Sequence, residues 1–202
     1  RSYIANCEEY GVKVVMHTEV TPAMIAEAKP DAVIVATGSN PLVLPIPGIN
    51  DTGVIHAGDL LDGKASVGKK VLVVGGGMVG CEVADFLGEL GHEVSVIELR
   101  DQLGPDVIPE HRKFLMKDFE AYKVQGVTGA KVAQFFTDGV SYTLADGTEG
   151  RLEGFDNVVL AMGYRNNDTI SEEIKKIVAE TYVIGDAVKA RKALDATAEG
   201  LN

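Results

Sequence analysis

The stretch Lys70-Val-Leu-Val-Val-Gly-Gly-Gly-Met-Val-Gly80, continued by Cys81-Glu-Val-Ala-Asp-Phe-Leu-Gly-Glu-Leu-Gly91, decides the reading of this 202-residue chain. The aliphatic run after Lys70 is the pattern of a parallel strand covered on both faces. Glycines 75, 77 and 80 then form G-x-G-x-x-G. Met78 to Leu90 reads as a helix with Val79, Val83, Phe86, Leu87 and Leu90 on one face and Gly91 as its stop. Alone, three spaced glycines say little; between a strand and an amphipathic helix they form a dinucleotide-binding turn. Gly75 permits the tight turn, Gly77 lets the backbone approach a diphosphate, and Gly80 lets helix and strand pack closely. The helix start at Met78 and Val79 presents free amides and a partial positive charge to the phosphates.

Working outward, Glu98 ends the next strand, twenty-three positions after Gly75. This is close to the spacing of about 20 for a ribose-binding acid. A carboxylate there accepts from both ribose hydroxyls and repels a 2′-phosphate, so NADH is expected over NADPH. Arg100 complicates that preference, because a nearby Arg can serve a 2′-phosphate. Glu82, one turn into the helix, either orients the nicotinamide or favours the helix N-terminus electrostatically. Cys81 reads as a small core residue. His17, His56, His92 and His111 are scattered without metal-ligand spacing. No metal site and no catalytic acid or base is named.

Further strands are expected at Val12–Met16, Ala32–Ala36, Glu93–Glu98, Asn157–Ala161 and Tyr182–Ile184, and a second helix at Pro109–Tyr122. Asp138-Gly139 and Asp146-Gly147 divide Lys131–Phe136, Val140–Leu144 and Gly150–Glu153 into an antiparallel meander. The expected class is α/β: a Rossmann-like parallel sheet with helices on one face and an antiparallel β-meander, plus a partial second Rossmann-like lobe. An internal repeat supports two related lobes. Asp31-Ala-Val-Ile-Val-Ala-Thr-Gly38 aligns with Asp156-Asn-Val-Val-Leu-Ala-Met-Gly163, sharing Asp-x-Val, two aliphatics and Ala-x-Gly. Pro41, Pro45 and Pro47-Gly48 mark one crossing between lobes, and Tyr164 to Thr169 the return. The expected boundaries are residues 1–63 for a first lobe and linker, 64–167 for the second lobe, and 168–202 for the return.

Composition narrows the function classes. Hydrophobic residues are 46% and charged residues 24%, enough to build a core. The net charge of −11 argues against nucleic-acid or anionic-membrane partners. No apolar stretch approaches the ~18 residues of a membrane span, and a soluble cytoplasmic protein is expected. Two cysteines, Cys7 and Cys81, form no close pair. The opening Arg1-Ser2-Tyr3-Ile4 reads as a cut within a longer protein.

With Asp31–Gly38, Pro41, Ile46-Pro-Gly48, Gly75–Gly80, Asn157–Gly163 and Tyr182-Val-Ile-Gly-Asp-Ala187 in place, the chain resembles the pyridine-nucleotide-disulfide oxidoreductase superfamily. It is most similar to the C-terminal FAD- and NAD(P)H-binding region of NADH:flavin oxidoreductases of the 2-enoate reductase, 2,4-dienoyl-CoA reductase and trimethylamine dehydrogenase type. The resemblance implies that the first lobe belongs to FAD and the second to NADH. It implies that Asp186, after Gly185, lies against the FAD ribitol, that Thr37 and Gly38 lie near the flavin nucleotide, and that Gly163 lines the NADH pocket. The family's N-terminal glycine turn for FAD has no counterpart in residues 1–30, so the FAD site is incomplete in this chain. The resemblance further implies a missing N-terminal partner region, a TIM barrel with FMN and an iron–sulfur cluster. In such a parent enzyme NADH passes hydride to FAD and an enoate or enoyl-CoA C=C bond is reduced, while the fragment alone is inactive. The alternative is a non-catalytic ADP-holding module, as in trimethylamine dehydrogenase. A methyltransferase-like fold has no place for the Asp31/Asp156 repeat or for Gly185-Asp186.

Overall fold

In the computed structural model, which describes residues 3–50 and 53–201, the elements run α1 (Tyr3–Glu9), α2 (Pro22–Ala28), β1 (Val33–Val35), β2 (Ser39–Pro41), β3 (Ile55–His56), α3 (Ala57–Leu61), β4 (Lys70–Val74) and α4 (Met78–Glu89). They continue with β5 (Glu93–Ile97), α5 (Pro109–Tyr122), β6 (Gln125–Val127), β7 (Ala130–Phe136), β8 (Gly139–Leu144) and β9 (Glu149–Leu152). The last are β10 (Asn157–Leu160), β11 (Tyr164–Asn166), α6 (Ser171–Ile174), β12 (Thr181–Val183), a 3-10 turn (Gly185–Ala187) and α7 (Ala193–Glu199). Two compact units result: one from the residues up to Ser39 and from Asn166 onward, the other from Asn40–Arg165.

The larger unit is built on a parallel five-stranded sheet of order β3-β10-β4-β5-β6. β4 lies at its centre, and Val71, Leu72, Val73 and Val74 are all buried because both faces are covered. Val71 and Val73 pack with Val94, Val96 and Val159 against Cys81, Val83, Ala84 and Leu87 of α4 and Phe119 of α5. Leu72 and Val74 point the other way, and pack with Ile97, Val158 and Leu160 against Ala130, Phe135 and Val140 of the β7-β8-β9 meander. The alternation of a pleated strand thus feeds two cores, helices on one side and the meander on the other. Each fully buried aliphatic side chain contributes about 1.5–3 kcal/mol. This is the expected α/β class with helices on one face and a meander.

Three local expectations change. The buried face of α4 is Gly80, Cys81, Val83, Ala84, Leu87 and Gly88, whereas Phe86 and Leu90 are exposed. Small residues win that face because α5 approaches closely: a Cβ on Gly88 would stand 2.9 Å from the Tyr122 side chain. Residues 40–50 and 53–63, expected with the first lobe, pack in the larger unit, where β3 pairs with β10 and Ala57 and Leu60 join the helix-side core. Val12–Met16 forms no strand, and Val12, Val14, Val15 and Met16 are exposed.

In the smaller unit β1 and β12 pair in parallel, Val33 opposite Thr181 and Ile34 opposite Tyr182. Asp168 accepts from the Ser171 amide (3.0 Å) and from the Ser171 hydroxyl, which fixes the start of α6. These hydrogen bonds hold the Asp168 carboxyl below its ordinary range.

Candidate dinucleotide site

The glycine turn at the end of β4 is dictated by close backbone packing. Gly75 has φ of +104°, and a Cβ there would lie 2.3 Å from the Ala161 carbonyl oxygen. A Cβ on Gly80 would lie 1.8 Å from the Gly75 carbonyl oxygen, so α4 starts against the turn itself. Gly77 differs in kind. The nearest atoms to its absent Cβ are side-chain tips, Arg100 Nη2 at 3.1 Å and Asp106 Oδ2 at 3.4 Å. Its open face is therefore bounded by groups that rotate, while the faces of Gly75 and Gly80 are bounded by main chain.

Glu98, 6% exposed, faces this turn. One carboxylate oxygen accepts from the Gly76 amide, and the other accepts from Arg100 N (2.9 Å) and Nε (3.0 Å). Three donors satisfy the charge that burial would otherwise make costly. The loop after Glu98 folds back over the turn. Gly104 donates to the Gly76 carbonyl (2.7 Å), and Leu103 packs where side chains on Gly76 and Gly126 would stand. Asp106 Oδ1 then accepts from Met78 N (3.0 Å) at the start of α4, and Arg100 Nη2 lies 3.8 Å from the same oxygen.

Of the expected residues, Gly75, Gly77, Met78, Val79, Gly80, Glu98 and Arg100 come together here. Glu82 is exposed on α4. Gly163, with φ of +93°, stands beside a small cavity whose lining includes His56, Val79, Met162, Gly163 and Tyr164. Thr37, Gly38, Gly185 and Asp186 belong to the smaller unit. Thr37 Oγ1 donates to the Asn167 carbonyl, whose own amide donates to the Gly38 carbonyl (2.9 Å). Gly185 has φ of +63°, and Asp186 accepts from Ser39 Oγ (3.0 Å) and Arg191 N (3.1 Å). Burial pushes the Cys81 thiol up to about 11, and Cys81 Sγ donates to the Gly76 carbonyl (3.3 Å), so it acts as a core residue.

Sequence reasoning missed Asp106, Leu103, His56 and Tyr164. Nothing local marks the first two, since they reach the turn only through the path of the 99–108 loop. Among the described residues no His, Cys, Asp or Glu group could hold a metal ion, and no helix is long and apolar enough to cross a membrane.

The family model of the pyridine nucleotide-disulphide oxidoreductases matches residues 3–189. The chain belongs to that family. NAD(H) and FAD are the family's cofactors. Among relatives, the chain is 30% identical to a metal reductase of Desulforamulus reducens, over 100% of this chain and 35% of that protein. It is 28% identical to a cinnamate reductase of Clostridium sporogenes, over 93% of this chain and 28% of the relative. The fold matches that of 2-naphthoyl-CoA reductase in complex with 2-naphthoyl-CoA, with a TM-score of 0.87 and 31% identity over 98% of this chain and 30% of that one. The chain thus spans about a third of the length of the proteins it matches.

Proposed function

We propose that the larger unit binds NADH, with the diphosphate at the Gly75–Gly80 turn and the adenosine ribose on Glu98. The observation that carries this is the pairing of a Gly77 face free of main-chain obstruction with a buried carboxylate held beside the Gly76 amide. Met78, Val79 and Gly80 supply the positive start of a twelve-residue helix. Arg100 donates to Glu98 through Nε, which keeps that edge of the guanidinium away from a 2′-phosphate, and NADH is preferred to NADPH. Gly163 and the adjoining cavity receive the nicotinamide. Thr37, Gly38, Gly185 and Asp186 are the part of an FAD site that this chain contributes. When bound, the pyridine nucleotide supplies hydride and the flavin accepts it; the protein's share is positioning and electrostatics.

The parent protein, in this reading, is a flavin-dependent reductase of an enoate or enoyl-CoA C=C bond. Its likeness to a cinnamate reductase and a naphthoyl-CoA reductase supports that substrate class. An N-terminal region carrying FMN and an iron–sulfur cluster on a barrel completes it, and the present chain alone is inactive. A second reading, an ADP-holding module, is favoured by the fact that the glycine turn and Glu98 address only the ADP half of the ligand.

Calorimetric titration with NADH, NADPH and ADP tests both readings. NADH binding more tightly than ADP and NADPH supports the first. Bound ADP with no NADH exchange supports the second. In Glu98→Gln, NADH weakens by about tenfold or more, as expected for hydrogen bonds to a charged group worth ~1.5–3 kcal/mol. Equal affinity of the native chain for NADH and NADPH would remove the role given to Glu98.

A further inference from the structure

Asp106 occupies the one place on α4 that a diphosphate also claims. Its Oδ1 accepts from Met78 N at 3.0 Å, and Oδ2 lies 3.4 Å from where a Gly77 Cβ would stand, on the face by which a ligand approaches. Two anions cannot share one helix-terminal amide, because each gains from the same partial positive charge and they repel each other at that distance. The backbone beneath Asp106 is fixed: Gly104 N binds the Gly76 carbonyl (2.7 Å), Val107 N binds the Gly104 carbonyl (3.2 Å), and Arg112 Nε binds the Leu103 carbonyl (2.7 Å). The side chain itself is half-exposed, so rotating it outward brings it into solvent. Arg100 stands between, with Nε on Glu98 and Nη2 3.8 Å from Asp106 and 3.1 Å from the Gly77 Cβ position.

We propose that Asp106 is a built-in competitor for the diphosphate subsite, displaced by the nucleotide's phosphates, which also take over its ion pair with Arg100. This rests on the reading of the turn as a diphosphate cradle. It makes Asp106 a residue that sets nucleotide affinity while contributing no contact to the bound ligand.

The test measures binding of NADH, ADP and inorganic pyrophosphate to the full chain and to Asp106→Asn, Asp106→Ala and Asp101→Asn. Asn keeps an oxygen to accept from Met78 N but removes the charge; Asp101 is an exposed carboxylate on the same loop. Removing the Asp106 charge is expected to tighten all three ligands about two- to thirty-fold, the range for an anion at a helix start. The gain is largest at low salt, and Asp101→Asn stays near the native value. Should Asp106→Ala fail to fold, Asp106→Asn carries the test. Unchanged or weaker binding by both Asp106 variants, with the native chain binding normally, overturns this proposal and leaves the cradle intact. No binding of any of the three ligands by any form overturns both.

Discussion

Gly80→Ala isolates the close approach on which the turn depends. Gly80 has ordinary helical φ, so the substitution adds no backbone strain, and helix propensity alone would favour Ala by about 1 kcal/mol. Against this, the new methyl group would stand 1.8 Å from the Gly75 carbonyl oxygen and 3.2 Å from Ala161 Cβ. Real Cβ contacts are not found below 3.0 Å, so α4 or the turn must retreat by more than 1 Å. Overpacking costs about 1–3 kcal/mol where side chains yield. Here the obstacle is main chain, and the upper end applies. The net loss is about 2 kcal/mol, or roughly 4–8 °C in Tm for a chain of this size. Because the displaced atoms are the amides assigned to the diphosphate in the proposed site, NADH affinity should fall at least about tenfold. Urea unfolding gives the first quantity and fluorescence titration with NADH the second. Gly91→Ala serves as the control: its φ is +84° with open space around it, so it should lose stability and keep its affinity. Native stability and native affinity in Gly80→Ala would refute the steric reasoning.

Two charges away from the turn give further tests. Asp85 on α4 has a buried oxygen without a partner in the structure, and burial, Asp118 and Glu89 together raise its carboxyl above the ordinary range. A raised folded value means the penalty is full at neutral pH and is relieved as pH falls through it. Asp85→Asn should therefore gain about 0.5 kcal/mol at pH 7, a small value because solvent partly screens the group and Asn leaves a polar atom in the same place, and urea melts should show the gain shrinking in acid. Asp168 has the opposite sign: Ser171 depresses its carboxyl, so its contribution is present above the unfolded value and disappears as pH falls through the folded one. Asp168→Ala should cost about 1 kcal/mol at pH 7, as for a lost helix cap, with the difference vanishing in strong acid.

Elements bounded by strong local chemistry were legible in the sequence. β4, closed by glycines, and α5, opened by Pro109, have the expected ends, and the Asp-Gly turns place the meander strands to within a residue or so. Val12–Met16 misled because a β-branched run becomes a strand only beside a neighbour with which to form a ladder, and here its side chains stay exposed. β3 and β6, of two and three residues, are too short to show any periodicity. On α4 the large residues Phe86 and Leu90 suggested a face that the small ones, Gly80, Ala84 and Gly88, in fact provide. Of the site, the glycine turn and Glu98 were readable because their spacing is local. Asp106 and Leu103 were not, because a side chain that reaches back across a loop leaves no mark in spacing.

Leu103 carries a consequence for how this site varies and how it is transplanted. One methyl lies 2.5 Å from the position of a Gly76 Cβ and the other 2.9 Å from that of a Gly126 Cβ, so a single side chain wedges the turn, the loop and β6 together. The two glycines and the leucine are interlocked, and a side chain added at either glycine forces Leu103 to move. A bulkier residue at either glycine demands a smaller one at 103, and that exchange loosens the segment bearing Arg100 and Asp106. Grafting the glycine turn into a new scaffold without this wedge would transfer the motif and leave behind what keeps it in shape.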